Sequence, residues 1–293
     1  MRQDRPVRAR WARDRGGIAG SVTAVLFVII ITTVLAGVAL YYVPSWSKDA
    51  EAEHMNKVAN QFQSVRDGIE DQIDQGEGAG SLYYHIVMTS GTTSSFLGIQ
   101  GEPSKGTLSL DSSGSVFELH DADNVSDVFG IGRGRISFQS RNSYYVDQEH
   151  IYEQGAVIVR QGTCSTFREG SEPRFSRDGN GALNVHFSIY ALYGDSAQIT
   201  GTGSAGIETR VVHTEETVIP FPSNRNITFN ASTTCGDGWA SWLTDSVLSA
   251  SASANLTSSN YSVSWSATGF TFNIYSVSQL TVRFSVVETR VSK

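Results

Sequence analysis

The chain begins with an arginine-rich segment that is followed by a long uncharged apolar run. No Asp, Glu, Lys or Arg occurs between Arg15 and Lys48. The apolar part, from Ile18 to Val43, is 26 residues long, and about 20 predominantly apolar residues suffice for a helix to cross the hydrocarbon core of a bilayer. The sequence therefore predicts a transmembrane helix near the start of the chain.

The charges around this run predict its orientation. Six arginines and two aspartates precede it. Cytoplasmic flanks of membrane helices carry an excess of basic residues, so this bias places residues 44–293 outside the cell. The predicted localisation is the cell membrane with an extracellular domain, or an extracellular filament.

Three kinds of N-terminal segment share this charge pattern. A cleaved secretory leader has an apolar region of about 7–15 residues and a small-residue cleavage site; Ala36-Gly37-Val38-Ala39 could serve as such a site, but the run is too long. An uncleaved signal anchor needs only length and charge. A prepilin leader is cut on the cytoplasmic side of the run, which then becomes the head of the mature chain.

The residues around the run resemble those of archaeal type IV pilins and their pilin-like relatives. The resemblance is carried by Arg15-Gly16 next to an unbroken apolar helix, by Pro44 at its outer end, and by the amphipathic stretch that follows without a loop. It implies that a membrane peptidase cleaves between Gly16 and Gly17. Glycine disfavours helix, which suits a peptide that must enter a protease cleft in extended form. Ser21 stands where bacterial type IV pilins usually carry a glutamate, a departure that favours the archaeal branch.

This resemblance implies a division of the chain into four parts. Residues 1–16 form the leader, 17–43 an apolar transmembrane and filament-core helix, 44–76 an amphipathic continuation of that helix, and 77–293 an extracellular β-sandwich. A Ser-rich C-terminal subunit could begin near residue 223. The predicted filament-core side chains are Ile29, Ile30, Ile31, Val34 and Leu35.

The segment from Asp49 to Ile73 has the period of an amphipathic helix, because its apolar residues recur at three- and four-residue steps. This stripe can pack on the chain's own domain, or on neighbouring subunits where it lies nearest the membrane, and both can hold along one helix. Pro44 predicts a kink, and the glycines between Gln75 and Gly80 predict the helix end. The stripe comprises Met55, Val58, Ala59, Phe62, Val65, Ile69 and Ile73.

From Ser81 onward the helical period disappears. Short runs rich in Val, Ile, Tyr, Phe and Thr alternate with polar turns, which predicts an antiparallel β-sandwich or barrel and an α+β fold overall. Arg168 to Gly181 is predicted to be a long loop. The stretch from Ser241 to Phe270 holds ten serines and could be a flexible linker, but its interleaved Val, Leu, Tyr and Trp favour strands with polar outer faces.

Two kinds of side chain suggest modification outside the cell. Cys164 and Cys235 are the only cysteines, and they can pair in an oxidising exterior, although the sequence does not fix their separation. Five Asn-x-Ser/Thr sequons are candidate N-glycosylation sites if the organism is archaeal. The sequons begin at Asn124, Asn226, Asn230, Asn255 and Asn260.

The sequence motifs considered for catalysis, cofactor binding and metal binding lack features that such sites require. Gly201 to Gly206 matches G-x-G-x-x-G, but a strand is predicted after it, where a dinucleotide site requires a helix. Asp121, Asp123 and Asp127 offer oxygen ligands for calcium, yet they lack the glycine and distal glutamate of a calcium loop, so a solvated acidic turn is favoured. The histidines are scattered singly along the chain. We therefore predict no enzyme, no cofactor and no metal.

The charge and topology together point to a surface protein. The net charge is −7, and loss of six arginines and two aspartates with the leader would leave about −11, which disfavours nucleic acid as a partner. The predicted function is that of a major or minor pilin-like subunit, which assembles through its N-terminal helix and displays a domain for adhesion. Its predicted partners are copies of itself or other pilins, a prepilin peptidase, the assembly machinery, the membrane and surface glycans. The alternative is a monomeric membrane-anchored binding protein.

Overall fold

The computed structural model describes the backbone of residues 8–91 and 103–293, and the side chains of residues 20–91, 103–250 and 254–293. Helix α1 spans Arg8–Gly37, a π-helical turn spans Val38–Tyr42, and α2 spans Val43–Gln75. The three segments follow one another without a loop and form one helical rod. The first seven residues of the predicted leader lie outside the described part of the chain.

The irregularity predicted at Pro44 lies one turn earlier, in the π-helical turn. Pro44 has no N–H to donate back along the helix, and it occupies the first turn of α2, where that loss costs little. The N–H of Val43 reaches back five residues to the carbonyl of Val38, which is the spacing of a π-bulge. The wider turn lets the helix continue into α2.

The amphipathic stripe predicted for α2 is confirmed. All seven of its apolar residues are buried, from Met55 to Ile73. The helix ends at Gln75, within the predicted region, and Gly76 adopts φ +81°, where glycine is favoured over other residues. Its N–H donates to the carbonyls of Gln72 and Ile73, which closes the last turn.

Among the described residues twelve strands follow α2, and the predicted change from helix to strands after Ser81 is confirmed. Their bounds are β1 Leu82–Val87, β2 Lys105–Asp121, β3 Val128–Arg141, β4 Gln148–Glu153, β5 Ala156–Gln161, β6 Cys164–Glu169, β7 Arg174–Arg177, β8 Leu183–Tyr193, β9 Ala197–Gly201, β10 Ser204–Ser232, β11 Tyr261–Ser266 and β12 Gly269–Ser292. The long loop predicted over Arg168 to Gly181 is interrupted by the short strand β7.

All of these strands join one hydrogen-bonded sheet. The main path runs β6-β5-β4-β3-β2-β10-β12-β8-β7, with β1 paired to β10, β11 to β12 and β9 to β2. A bridge between Arg133 of β3 and Ala191 of β8 connects distant points of this path, so the sheet curls back on itself. A long helix followed by a mostly antiparallel sheet confirms the α+β class.

The buried apolar side chains of the described residues form two hydrophobic cores, one on each side of this curled sheet. One contains the buried stripe of α2, and the other contains Trp239 and Leu243 of a third helix. Neighbouring residues of β4 alternate between them, since Ile151 packs in the second core and Tyr152 in the first. The long strands β2, β10 and β12 contribute to both cores and tie them together. Position 223, where a separate subunit could begin, lies within β10.

The third helix, α3, spans Gly236–Ala254 and corrects a prediction. Strands were favoured over Ser241 to Phe270, but only β11 and the start of β12 lie there. Trp239, Leu243 and Val247 recur at four-residue steps, and all three are buried. Burial of this apolar stripe outweighs the weak helix propensity of the interleaved serines.

Candidate membrane and assembly surface

Between Gly20 and Tyr42, most apolar side chains of the rod are exposed. Ile30 is 61% exposed, and Ile29, Ile31 and Val34 are exposed as well, while Leu35 is half-buried. The helical segment from Gly20 onward is long and apolar enough to cross a membrane. It could serve as a membrane anchor or a signal sequence, because its own backbone groups are satisfied within the helix.

Aromatic side chains mark the outer end of this exposed surface. Tyr41, Tyr42 and Trp46 are all exposed, and the rings of Tyr42 and Trp46 lie with their centroids 5.8 Å apart. Tyr and Trp are enriched where a membrane helix leaves the hydrocarbon, because one end of the ring system is apolar and the other is polar. These three residues, the aromatic collar, separate the exposed apolar rod from the domain.

Immediately beyond the collar, a buried carboxylate fixes the domain to α2. Glu51 is 1% exposed, and its two carboxylate oxygens accept the backbone N–H groups of Ser143, Tyr144 and Tyr145 at 2.8, 2.8 and 2.6 Å. These residues form the turn between β3 and β4. Three charge-assisted hydrogen bonds to one carboxylate hold that turn against the helix.

Further along α2, polar side chains bind strand β1. The ring of His54 contacts the carbonyl of Val87 through Nε2 at 2.8 Å. Gln61 donates to the carbonyl of His85 and accepts the N–H of Val87. These contacts come from the polar flank of α2, so that both its stripe and its flank are held by the domain.

The far end of α2 is fixed by a polar cluster in a cleft of about 370 Å³. The hydroxyl of Tyr190 donates to Glu70 at 2.7 Å, and Arg66 pairs with Glu169 at 3.0 Å. Burial raises the pKa of Glu70 above its usual range, although the hydrogen bond from Tyr190 opposes it. Farther on, Gln72 is hydrogen-bonded to Thr209. The domain therefore holds α2 from Glu51 to Gln72.

The predicted cleavage site lies within helical backbone. Gly16 and Gly17 fall inside α1, which begins at Arg8, rather than in an extended segment. A peptidase that binds its substrate in extended form would have to unwind this part of the helix first. Cleavage between Gly16 and Gly17 remains a prediction.

The five sequons differ in exposure. The side chains of Asn124 and Asn255 are exposed, and those of Asn226, Asn230 and Asn260 are half-buried. Asn124 lies in the turn between β2 and β3, and Asn255 caps α3 in the left-handed region at φ 48°. Glycan attachment requires an accessible acceptor, so these two are the favoured positions.

The two cysteines are free thiols in the structure. Cys164 is exposed at the start of β6, whereas Cys235 is buried before α3. Burial raises the pKa of the Cys235 thiol to about 12, so this group is a neutral apolar side chain rather than a reactive thiolate. The disulfide considered from the sequence is not formed.

The acidic residues between β2 and β3 are neutralised by an arginine from the chain itself. Arg225 pairs with Asp121 and, at 3.3 Å, with Asp127. Burial alone would raise the pKa of Asp121. The hydrogen bond and charge of Arg225, together with hydrogen bonds from the backbone N–H groups of Asp123 and Asn124, outweigh this effect and hold that pKa below the usual range. Among the described side chains, no group of three His, Cys, Asp or Glu is placed to hold a metal ion.

The remaining sequence candidates are placed in separate parts of the sheet. Gly201 to Gly206 span the end of β9, a two-residue turn and the start of β10, so a strand stands where a dinucleotide site would need a helix. His85 lies in β1, His186 in β8, and His213 in β10 beside Glu77 at 2.8 Å. The structure does not bring these histidines together.

Sequence reasoning missed the role of Glu51. A carboxylate near the start of a helix is usually explained by the favourable charge at a helix N-terminus, but the structure buries Glu51. A signal was present, because Glu51 lies four residues before Met55 on the apolar stripe, and a charge within such a stripe indicates a buried polar contact.

Comparisons with protein-family models, with curated proteins and with solved structures give no match for this chain.

Proposed function

We propose that this chain is a pilin-like structural subunit of a cell-surface filament, in which the curled sheet takes the place of a pilin β-sandwich. The observation that carries the proposal is the division of one continuous rod. Between Gly20 and Tyr42 most of its apolar side chains are exposed, whereas from Met55 to Ile73 the apolar stripe is buried in the chain's own domain. The exposed part is therefore free to pack on other molecules.

The mechanism of assembly is burial of apolar surface. In the bilayer the exposed helix is solvated by lipid. In a filament the same side chains, with Ile30 near the middle of the run, would pack against neighbouring helices. Burial contributes about 25 cal/mol per Å² before the cost of association is subtracted. The grip of the domain on α2 would transmit the helix position to the outward-facing domain.

The aromatic collar favours a second candidate function. Tyr41, Tyr42 and Trp46 lie where an anchor would leave the membrane, and an anchor needs no neighbours. A monomeric surface protein for adhesion or ligand binding would use the helix in this way alone. Both candidates have the domain outside the cell and the arginine-rich segment inside.

Two measurements on the native organism separate the candidates. Mass spectrometry of the mature protein is expected to give Gly17 as the first residue, because a prepilin peptidase removes the leader. Surface appendages sheared from cells are expected to contain the chain in the pellet. An intact arginine-rich segment together with an empty pellet would overturn the filament proposal and leave the anchored surface protein.

A further inference from the structure

Strand β10 has an unpaired edge in its middle. Along one side it pairs with β12 from Gly206 to Ser232. Along the other side β1 pairs with residues 204–209, and β2 pairs with residues 227–232. Between these two neighbours, no strand in the described part of the chain pairs with residues 210–225. We call this stretch the β10 gap.

The backbone of the β10 gap is ready to accept another strand. Its register with β12 continues without a shift from His213 to Pro220, and an antiparallel partner uses the N–H and C=O groups of only every second residue. The remaining groups point away from β12. Among the described residues, no other backbone hydrogen bond reaches this stretch. An edge with unpaired N–H and C=O groups is a template for strand addition.

An apolar hollow of about 430 Å³ begins at this edge. Glu215, Thr217 and Ile219 of β10 line it, together with Phe129 of β3 and Phe284 of β12. The two phenylalanines are half-buried and still expose apolar surface. Residues that stand opposite each other in paired strands lie on the same face of the sheet. A strand added at the β10 gap would therefore direct every second side chain toward the side of the hollow.

The other face of the β10 gap offers a carboxylate. Glu216 is exposed, lies on the face opposite to the hollow because side chains alternate along a strand, and has no ion pair among the described side chains. Its register partner on β12, Arg283, pairs with Asp74 at 2.7 Å. Arg133 lines the hollow and disfavours a further cation there. A lysine or arginine of an added strand would thus stand opposite Glu216, and apolar residues would face the hollow.

A second copy of the chain does not fit this edge. Two β10 gaps paired with each other would bring the Glu215 and Glu216 side chains of both copies together, and like charges on paired strands repel. Strands β9 and β11 contain no Lys or Arg, and neither do residues 92–102.

The other edge strands are occupied or short. Side chains of α2 already bind the edge of β1. The N–H of Ser165 in β6 donates to Asp237 of α3, and β7 has only four residues. The chemistry of the edge therefore favours a strand from a different protein.

We infer that the β10 gap binds an extended segment of another protein by strand addition. Apolar side chains of the segment face the hollow, and its lysine or arginine side chains face the side of Glu216. Backbone hydrogen bonds provide affinity, while the hollow and the carboxylate provide specificity. The inference goes beyond the proposed function and does not depend on filament formation, because the β10 gap belongs to the domain of an anchored monomer as well.

The test is fluorescence anisotropy with the full chain in micelles of a non-ionic detergent. The probe is a labelled peptide of about seven residues, alternating valine and lysine and blocked at both ends, which matches the regular part of the gap. Its counterpart has glutamate in place of lysine. The lysine probe is expected to bind and the glutamate probe is not. Failure of the lysine probe to bind, or equal binding by both probes, would overturn the inference.

Methylation of the probe tests for backbone pairing. One further lysine probe carries N-methyl groups on every valine, and another carries them on every lysine, so that each lacks the N–H groups of one edge. Strand addition uses a single edge of the peptide. One methylated probe should therefore lose binding while the other retains it. Equal loss or equal retention would show that no strand is added and would refute the proposal.

Matched variants of the chain test the role of charge. Glu216→Lys should weaken binding of the lysine probe by about tenfold and strengthen binding of the glutamate probe. Asp195→Lys makes the same change of charge at an exposed position between β8 and β9 and should leave binding unchanged. Unaltered thermal unfolding of Glu216→Lys would show that its fold is intact. Equal effects of the two variants would contradict the assignment.

A last variant tests for a second copy at this edge. Thr217→Cys, in a Cys164→Ser background, places a thiol in the β10 gap and removes the exposed native one. The oxidised variant is expected to remain monomeric without a probe. A disulfide-linked dimer would show that a copy of the chain occupies the edge and would overturn the inference of a different partner.

Discussion

The carboxylate of Glu51 accepts the backbone N–H of Tyr145 at 2.6 Å. This contact joins the first turns of α2 to a turn that lies ninety-four positions later in the chain, and two neighbouring N–H groups bind the same carboxylate. It is one of the contacts near the aromatic collar by which the domain holds the rod.

Replacement of Glu51 by Gln should therefore destabilise the domain. An amide has one acceptor oxygen instead of two, and its NH₂ group would face backbone donors, at a cost of about 1–3 kcal/mol. Chemical unfolding of the full chain measures this cost. Glu53→Gln is the control, since Glu53 is exposed on the same helix. Equal destabilisation by both variants would contradict the role assigned to Glu51.

A charge at Ile30 should prevent filament formation. Aspartate in the middle of a membrane helix costs about 2.5–3.5 kcal/mol and could not pack in an apolar filament core. The pellet of sheared appendages is expected to lack the Ile30→Asp variant. The control variant Asn56→Asp, on the exposed face of α2, should assemble normally.

The milder variant Ile30→Ala separates assembly from insertion. Alanine keeps the helix apolar, so the chain should remain in the membrane fraction, but it removes packing area and should lower the amount of filament. Normal filaments from Ile30→Asp would refute the proposed use of this surface.

Acid should destabilise the domain through His150. Burial, together with the charges of Arg168 and His54, lowers the pKa of His150 from its ordinary 6.5 to about 4. The folded chain therefore binds this proton only below about pH 4, whereas the unfolded chain binds it below about 6.5. The contribution of His150 to the free energy of unfolding is therefore largest above pH 6.5. It decreases as the pH falls toward 4, by about 3 kcal/mol in all.

The measurement for this prediction is chemical unfolding between pH 7.5 and 4, a range that we choose to bracket the two pKa values. His150→Phe should show a shallower decline with falling pH, because its ring cannot bind a proton and can pack near Phe62. His85→Gln, at an exposed position, should keep the wild-type slope. A slope unaffected by His150→Phe would rule out the buried histidine as its source.

Glycan occupancy should follow exposure. In an organism that glycosylates exported proteins, Asn124 and Asn255 are expected to be modified, because both are exposed outside strand pairing. Asn226 and Asn230, which are half-buried in β10, are expected to remain free. Glycopeptide mass spectrometry tests this, and the reverse pattern would show that exposure in the folded state does not govern modification.

Parts of the fold with strong local periodicity could be predicted from the sequence. The stripe from Met55 to Ile73 repeats at helical steps, and the glycines after Gln75 end the helix, so both appear without tertiary information. Helix α3 was missed because the five serines within it obscure a stripe of only a few apolar residues. Its period becomes evident once Trp239 and Leu243 are known to be buried together.

The polar contacts could not be predicted in this way. Glu51 meets the turn at Ser143, and Glu118 lies beside Asn230, because the sheet brings distant segments together. Strand order and register decide these neighbours, and neither is encoded in local spacing. The same applies to Arg225, whose pairing with Asp121 turns a candidate calcium loop into an internal ion pair.

The π-helical turn at Val38–Tyr42 sets the angle at which the domain is presented. One extra residue in a helical turn rotates everything beyond it by about 100° relative to an unbroken α-helix. The face that α1 offers to neighbours and the face that α2 offers to the domain are therefore out of phase by that amount. In a filament built on α1, this single turn would determine which side of every domain looks outward and which side meets the adjacent subunit.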